Sequence, residues 1–357
     1  MTVVRTPVIG PINLGGGTTP DPPDPTDLFN HFVDSENVWS LRRTRSDYTG
    51  SAIRVRNTTI NSERDIGFDE NEDLDVAEID QFIQSGQDGV VVTLYNQSGG
   101  PDLVQSVPER APHIAQNGTV VTNSSQMPAI QFGPVDTNPA QTSAVLGNRY
   151  LQADVPASGA ILESADLTIH MMCSDSRRAS YVWNVGGTDV LSVSNGGLIS
   201  LATKTPAGTT DSQHTSNLSF QVFTGATPFY ELAINSLWFS RQSMLENLNQ
   251  QLIIVIDEVT SATRSSQRIA TFSNNVGGTW ESFRGWIDYP PQHSDLDAQV
   301  LRVGNRFVTG GTPDTEDEGG RPALVYFKLS ELVLLDFAQT TAARTRYHDS
   351  MVSYWNP

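Results

Sequence analysis

Most of the chain shows the hydrophobic pattern of β-strands. Residues 252–256 and 332–335 are continuous apolar runs that each end at an aspartate, and residues 90–95 are largely apolar. Such runs are typical of central strands covered on both faces. Residues 167–172 instead alternate, which predicts a half-exposed strand, and residues 51–56 alternate with arginines, which predicts an edge-like strand with one charged face. Many short strands between glycines and prolines favour an all-β sandwich.

Two segments have the spacing of helices. Asp75 is a good N-cap, and Glu78 three residues later completes a capping box before an apolar face and Gly86. This pattern predicts a short helix near residues 75–85, whose apolar face comprises Val76, Ile79, Phe82 and Ile83. Residues 337–355 predict a loop followed by a C-terminal helix with one face formed by Ala343, Tyr347, Met351 and Tyr354.

The N-terminal residues 1–36 are interpreted as an extended anchoring arm and linker. Residues 15–17 are three glycines, and residues 19–25 are rich in proline and therefore favour an extended, polyproline-like spacer. Neither segment can bury apolar surface alone, so we expect the arm to be held by a partner. The β-sandwich is expected to occupy residues 37–357.

Charge and composition exclude several classes of function. The formal net charge of -18 repels phosphate backbones and anionic lipid, so we expect no nucleic-acid partner and no membrane partner. No apolar run approaches the length of a membrane span, and the N-terminus lacks the apolar core of a signal peptide, so synthesis in a cytoplasm without export by the general secretory route is expected. The single cysteine, Cys173, excludes an intrachain disulfide and is interpreted as a small buried hydrophobe.

Four stretches, in order, resemble the catalytic domain of the fungal arabinofuranosidase B family and its phage and bacterial relatives. They are residues 39–56 (WSLRRTRSDYTGSAIRVR) with 65–69 (DIGFD), residues 94–105 (LYNQSGGPDLVQ), residues 127–132 (MPAIQF), and residues 328–336 (KLSELVLLD) with the helix after them. The resemblance runs from about residue 38 to the end of the chain. It implies a concanavalin A-like (laminin-G-like) jelly-roll sandwich.

The phage relatives in this family are tail or other virion structural proteins. The resemblance therefore implies a structural component of a bacteriophage virion, on the tail or the head surface, made in the host cytoplasm and anchored by residues 1–36. Its expected partners are other virion proteins and itself as a homo-oligomer. Two alternatives stay open: a carbohydrate-binding module that recognises a host surface glycan, and an arabinofuranosidase-like glycoside hydrolase.

The positions that match the family's catalytic carboxylates argue against an enzyme. The resemblance places the nucleophile just after the strand at residues 180–188, where no glutamate occurs, although Asp189 lies close by. It places the acid in a turn that best matches residues 303–306, where Asn305 and Arg306 cannot act as a carboxylic acid. The family's adjacent cysteine pair is also absent. These differences predict a protein without catalytic activity.

Aromatic residues supply one candidate binding site. Trp280, Phe283, Trp286 and Tyr289 lie in a stretch punctuated by glycine and proline, outside the predicted strands. Exposed aromatic rings can stack on sugars or form a protein interface. The alternative is that they close one end of the sandwich.

Acidic residues supply a candidate calcium site. Asp69, Asn71 and Asp73 reproduce the opening of a calcium-binding loop, although Leu74 and Asp80 replace the glycine and glutamate expected at its sixth and twelfth positions. The alternative is a solvated lead-in to the Asp75 cap. No other cofactor is expected, and the six histidines show no metal spacing. Six arginines between residues 42 and 64 are expected to pair internally with the acidic residues 69–80.

Overall fold

The structure is a computed structural model. It describes the chain from Glu36 to Trp355 except for residues 134–148, 156–160, 162–166, 179, 186–187, 194–195, 204–214, 225–227, 235–236, 244–249, 262–263, 277–278, 289–299, 305–324 and 336–340. Between residues 175 and 299 it describes the backbone, together with the side chains of Leu198, Ile199 and Leu201. The predicted arm, apart from Glu36, lies outside the described residues.

The described residues form twenty-one strands, two α-helices and a 3-10 turn at Pro108–Arg110. The helices are α1 (Val76–Phe82) and α2 (Thr341–Trp355). The strands are β1 (Glu36–Ser40), β2 (Ile53–Asn57), β3 (Ser62–Ile66), β4 (Gly89–Leu94), β5 (Leu103–Val104), β6 (His113–Gln116), β7 (Thr119–Val120), β8 (Ile130–Phe132), β9 (Leu151–Asp154), β10 (Leu167–Arg178), β11 (Ser180–Val185), β12 (Thr188–Val193), β13 (Gly196–Thr203), β14 (Thr215–Thr224), β15 (Pro228–Ile234), β16 (Leu237–Ser243), β17 (Gln250–Ser261), β18 (Arg264–Val276), β19 (Thr279–Asp288), β20 (Val300–Val303) and β21 (Val325–Leu335).

Antiparallel pairing arranges these strands into two sheets. The first sheet has the order β19-β18-β17-β10-β21, and β1 and β8 share the free edge of β21. The second sheet begins with β3-β2-β4 and continues through β5 into β9-β20-β13-β14-β15-β16. Strand β6 pairs with both β4 and β8 and thereby joins the two sheets, while β11 and β12 form a separate hairpin.

The main hydrophobic core draws on both sheets. Ile169 and Leu334 from the first sheet belong to the same buried cluster as Val55 and Leu301 from the second. The rings of Phe132 and Phe327 stack within it, with centroids 4.6 Å apart. This arrangement confirms the predicted all-β sandwich.

Helix α2 covers the outer face of the first sheet. Ala343, Tyr347 and Met351 are buried as predicted, and Trp355 rather than Tyr354 is the fully buried residue at the end of the helix. Tyr347 packs with apolar residues of β1 and β21 and stacks on the ring of His170 at 4.7 Å. Helix α2 therefore excludes solvent from the part of the outer face that it covers.

Two strands were predicted correctly, but the predictions of what surrounds them were wrong. Strand β10 was expected to be half-exposed, but Thr168 and His170 on its polar face are completely buried because α2 lies over them. Strand β2 was expected at an edge, but it pairs with β3 on one side and β4 on the other. The alternation of polar and apolar residues shows which side chains share a face of the strand. It gives no information about a distant helix or strand that packs against that face or that edge.

Helix α1 begins at the predicted cap. The Oδ1 atom of Asp75 accepts a hydrogen bond from the backbone N–H of Glu78 at 2.9 Å. In a full capping box, the side chain of Glu78 would accept a hydrogen bond from the backbone N–H of Asp75. Here that N–H donates instead to the carbonyl oxygen of Gly67 at 3.1 Å. Ile79 and Phe82 bury the apolar face against the core.

We expect the Asp75→Ala substitution to lower the free energy of unfolding by about 1 kcal/mol, because it removes an acceptor for the first-turn amides. Glu78→Gln is the matched control and should cost only a few tenths of a kcal/mol, since Gly67 already serves the Asp75 amide. Chemical denaturation measures both. Equal losses for the two variants would contradict the one-sided cap.

Candidate functional site

Residues from the first and fourth resemblance stretches meet at a buried ion pair. Arg42 donates from Nε to Glu331 Oε2 at 2.7 Å and from Nη2 to Oε1 at 3.1 Å. The side chain of Arg42 is 2% exposed and that of Glu331 is 0% exposed. Ser40 Oγ and Trp355 Nε1 also donate to Glu331 Oε2, each at 3.0 Å. A buried carboxylate is tolerated only with such partners.

The same arginine connects α2 to the loop before α1. Its guanidinium lies 4.6 Å from the ring centroid of Tyr354, and its Nη2 donates to Ser350 Oγ at 3.3 Å. The Tyr354 hydroxyl donates to Asp73 Oδ1. We call Arg42, Glu331 and these helix contacts the Arg42–Glu331 network.

The second resemblance stretch holds the backbone beside this network. Gln97 Nε2 donates to the carbonyl oxygens of Ser40 and Arg42 at 3.1 and 2.9 Å. Its Oε1 accepts from the backbone N–H of Thr44 at 2.9 Å and from the hydroxyl at 2.8 Å. A Cβ at Gly100 in the same stretch would clash with Asn37 Oδ1 and Asn96 Nδ2, so those side chains would have to move.

The third stretch contacts the fourth through β8 and β21. The Ser330 hydroxyl donates to the carbonyl oxygen of Pro128 at 3.4 Å, and Leu41 N–H donates to the Ser330 carbonyl oxygen at 3.1 Å. All four stretches therefore build the junction of β1, β21 and α2. Glu331 is the one fully buried carboxylate among the described side chains, and α2 separates it from solvent. Its role is structural.

An exposed cluster of polar residues joins β2, β3 and the end of β4. Arg54 forms a bidentate pair with Asp65, with N–O distances of 2.7 and 2.9 Å, and the Tyr95 hydroxyl donates to Asp65 Oδ1 at 2.7 Å. Arg54 lowers the pKa of Asp65, while partial burial raises the pKa of Tyr95. Asp65 therefore stays ionised at neutral pH and is unsuited to donating a proton.

The prediction that the arginines pair with the acidic residues 69–80 was wrong for most of them. Arg43 pairs with Glu72 in the acidic segment as expected. The other ion pairs, each with its N–O distance, are Arg42–Glu331 at 2.7 Å, Arg45–Asp47 at 3.1 Å, Arg54–Asp65 at 2.7 Å and Arg56–Glu63 at 3.4 Å. Arg64 lies 4.8 Å from the ring centroid of Phe82. These contacts give each of the six arginines a partner within the fold.

The candidate calcium loop is a hydrogen-bonded turn. Asp69 Oδ1 accepts from the backbone N–H groups of Asn71 and Asp73 at 2.8 and 3.0 Å. Asp73 accepts from Tyr354, so two carboxylates of the motif already have donors. No group of three His, Cys, Asp or Glu side chains in the described part of the chain is arranged to hold a metal ion. Calcium binding stays a prediction.

The candidate aromatic site lies in a strand. Trp280, Phe283 and Trp286 belong to β19 (Thr279–Asp288), so the prediction that this stretch lies outside the strands was wrong. Tyr289 lies outside the described residues, as do the side chains of the other three. Sugar binding there stays a prediction.

The structure places the two carboxylate positions implied by the resemblance at strand ends. Residues 180–185 form β11 and Thr188 begins β12, where Asp189 pairs in register with Asn184. The turn that the resemblance implies at residues 303–306 begins at the last residue of β20, and Asn305 and Arg306 lie outside the described residues. Gly304 in that turn has φ +93°, and a Cβ there would lie 2.3 Å from the Phe132 ring, so both conformation and space require glycine.

Sequence reasoning missed a buried basic group on the second sheet. Arg149 and His113 are almost fully buried, and Arg149 Nη1 donates to the carbonyl oxygen of Ala111. Burial lowers the pKa of His113 to about 3, with a further contribution from Arg149, and burial lowers the pKa of Arg149 to about 10. Their spacing in the sequence carries no signal for this proximity.

Two further expectations concern single features. Cys173 is free and buried, as predicted. Neither described helix is long and apolar enough to cross a membrane.

Comparisons with known proteins show the fold. No family model matches the chain, and no curated protein matches it. Among solved structures, a mutant GH54 α-L-arabinofuranosidase soaked with 4-nitrophenyl α-L-arabinofuranoside matches with a TM-score of 0.60, at 11% identity over 92% of this chain and 65% of that chain. An arabinofuranosidase complexed with arabinofuranosyl-α-1,2-xylobiose matches with a TM-score of 0.56, at 11% identity over 92% of this chain and 64% of that chain.

These matches correct two expectations. The chain was expected to be a structural component of a phage virion without catalytic activity, but the arabinofuranosidase structures that it matches are glycoside hydrolases, and these matches give no support to a phage particle. The chain spans about 65% of the length of the arabinofuranosidase structures it matches. The chain has the β-sandwich fold of arabinofuranosidases.

We expect Glu331→Gln to destabilise the fold by about 3–5 kcal/mol, because it leaves the buried Arg42 charge without its counter-ion. Asp65→Asn is the matched control, since it breaks a solvent-exposed arginine pair and should cost about 1 kcal/mol or less. Urea denaturation measures both changes. Similar losses in the two variants would contradict a special role for the buried pair.

We expect His113 to make the fold less stable in acid. The unfolded chain binds a proton at this imidazole below about pH 6.5, whereas the folded protein does so only near pH 3. Stability is therefore lost as the pH falls from 6.5 towards 3. Melting temperatures at pH 7 and pH 4 should differ less in His113→Gln than in the original protein. An unchanged difference would show that the imidazole is protonated without cost in the folded state.

Proposed function

We propose that the chain is a carbohydrate-active protein that hydrolyses arabinofuranosides. The observation that carries the proposal is the backbone match to arabinofuranosidases over 92% of the chain, at a TM-score of 0.60. The four resemblance stretches support the shared fold independently, because that resemblance lies in the residues themselves. Fold by itself permits many functions, so the activity has to be tested.

Glycoside hydrolysis requires two carboxyl groups on either side of the bond that breaks. One acts as a general acid on the leaving oxygen, and the other is a nucleophile or activates a water molecule. Two carboxylates of the resemblance stretches are unsuited to this chemistry. Glu331 is buried under α2, and Asp65 already accepts hydrogen bonds from Arg54 and Tyr95.

Two carboxylates in the strand-rich segment after β10 are the candidates that we propose instead. Asp189 in β12 lies next to the position that the resemblance assigns to the nucleophile. Glu281 in β19 pairs in register with Asn274, which pairs with Leu252 opposite Met171 of the core. Glu281 thus lies on the sheet face that carries the core in β10, as does Glu258, but Glu281 pairs with an amide residue whereas Glu258 pairs with Arg268. We propose Asp189 and Glu281 as the reacting pair.

A second candidate function is carbohydrate binding without hydrolysis. It is favoured by the residues at the matching catalytic positions, because no glutamate follows β11 and the turn after β20 carries Asn305 and Arg306. A sandwich of this kind would retain a sugar-binding surface while lacking the acid and the nucleophile. The two candidates differ in turnover.

We expect the purified chain to release 4-nitrophenol from 4-nitrophenyl α-L-arabinofuranoside. Asp189→Asn and Glu281→Gln should each lower kcat by roughly 10²–10⁴-fold while leaving the melting temperature nearly unchanged. Glu258→Gln is the matched control: Glu258 is also a strand carboxylate, but it pairs in register with Arg268. Its turnover should remain.

The outcomes separate the candidates. Turnover that survives both substitutions would overturn the assignment of the pair and leave the activity standing. Absence of turnover on aryl arabinofuranosides and on arabinan, combined with measurable binding of arabinan, would favour the binding module.

A further inference from the structure

Arg149, just before β9, is a buried cation with few hydrogen bonds. It is 9% exposed, and its Nη1 donates to the carbonyl oxygen of Ala111. This is its one hydrogen bond within the described part of the chain, where its buried Nε has no partner. Burial lowers the pKa of Arg149 to about 10, although the charge of Asp88 acts in the opposite direction. The guanidinium is therefore still positively charged at neutral pH.

The unused side of this guanidinium is the side with which other arginines of the chain bind carboxylates. Arg42, Arg45 and Arg54 each donate to both oxygens of one carboxylate through Nε and Nη2. Two parallel N–H groups on that side match the two oxygens of a carboxylate in spacing and direction. In Arg149 the backbone contact uses Nη1, so Nε and Nη2 remain for a ligand of the same chemistry.

A second buried arginine, Arg302 in β20, shows that this part of the second sheet can satisfy such a group internally. Arg302 is 3% exposed, and its Nε and Nη2 both donate to Gln152 Oε1, at 3.1 and 2.7 Å. Its guanidinium also lies 4.5 Å from the ring centroid of Tyr150, the residue after Arg149. Among the described residues, no amide or carboxylate serves Arg149 in this way. An unpaired buried charge lowers stability, and an anionic ligand would offset that loss.

His113 adds a neutral donor near Arg149. Burial, together with the charge of Arg149, lowers the pKa of His113 to about 3, so the imidazole is uncharged at neutral pH. Its Nδ1 lies 3.4 Å from Nε2 of Gln116, which can only donate, so the ring proton is on Nε2 of the imidazole. A ligand that reaches Arg149 therefore meets one positive charge and one neutral N–H group.

We propose that Arg149 binds the carboxylate of an acidic sugar, a uronic acid, through Nε and Nη2, with the Nε2–H group of His113 as an additional donor. The two parallel donors favour a planar carboxylate, and the low polarity of the site strengthens the contact. That the carboxylate belongs to a sugar rests on the proposed function. The site would let the protein recognise arabinofuranoside polymers that carry uronic acid units.

Thermal melts and calorimetric titration of the full chain test the site. Sodium galacturonate should raise the melting temperature, whereas galactose with the same concentration of sodium chloride should not. Arg149→Lys should weaken galacturonate binding about tenfold, because an ammonium group keeps the charge but loses the two parallel donors. Arg54→Gln is the matched control: it removes an arginine that already pairs with Asp65, and it should leave the affinity unchanged.

Arg149→Met tests whether the chain itself supplies a counter-ion. Without one, this variant should melt no lower than the original protein and should lose the response to galacturonate. A large fall in its melting temperature, with no galacturonate response in the original protein, would overturn the proposal. Equal stabilisation by sodium acetate or sodium phosphate would overturn the assignment to a sugar. Galacturonate binding without turnover of 4-nitrophenyl α-L-arabinofuranoside would refute hydrolysis alone, whereas turnover without galacturonate binding would refute this site alone.

Discussion

The fold depends on a carboxylate that has no contact with water. Glu331 sits at the centre of β21, where its two oxygens accept from Arg42, Ser40 and Trp355. Removing a charge from water costs several kcal/mol, and only a full set of donors offsets this. Those donors come from β1, the residues after β1, and the last turn of α2. Both ends of the described chain must therefore be in place before Glu331 can be buried.

This requirement explains why a few short stretches stay recognisable when identity to the matched enzymes is only 11%. Arg42 and Glu331 form the ion pair, and Gln97 fixes the backbone on which Arg42 is placed. Most core residues can be exchanged for others of similar volume, but a buried ion pair and its supporting amide cannot be altered one residue at a time. The stretches that reveal the relationship are therefore scaffold, and they carry no information about chemistry.

The sequence predicted features that depend on local physics. The Asp75 cap, the buried face of α2 and the apolar strands β4, β17 and β21 all follow from spacing over one or two turns or a few strand residues. It failed where distant elements decide the outcome, as at His170, which is buried because α2 folds back over it. It also failed at β19. There Trp280 and Phe283 differ by an odd number of residues, so they lie on opposite faces and show no simple alternation.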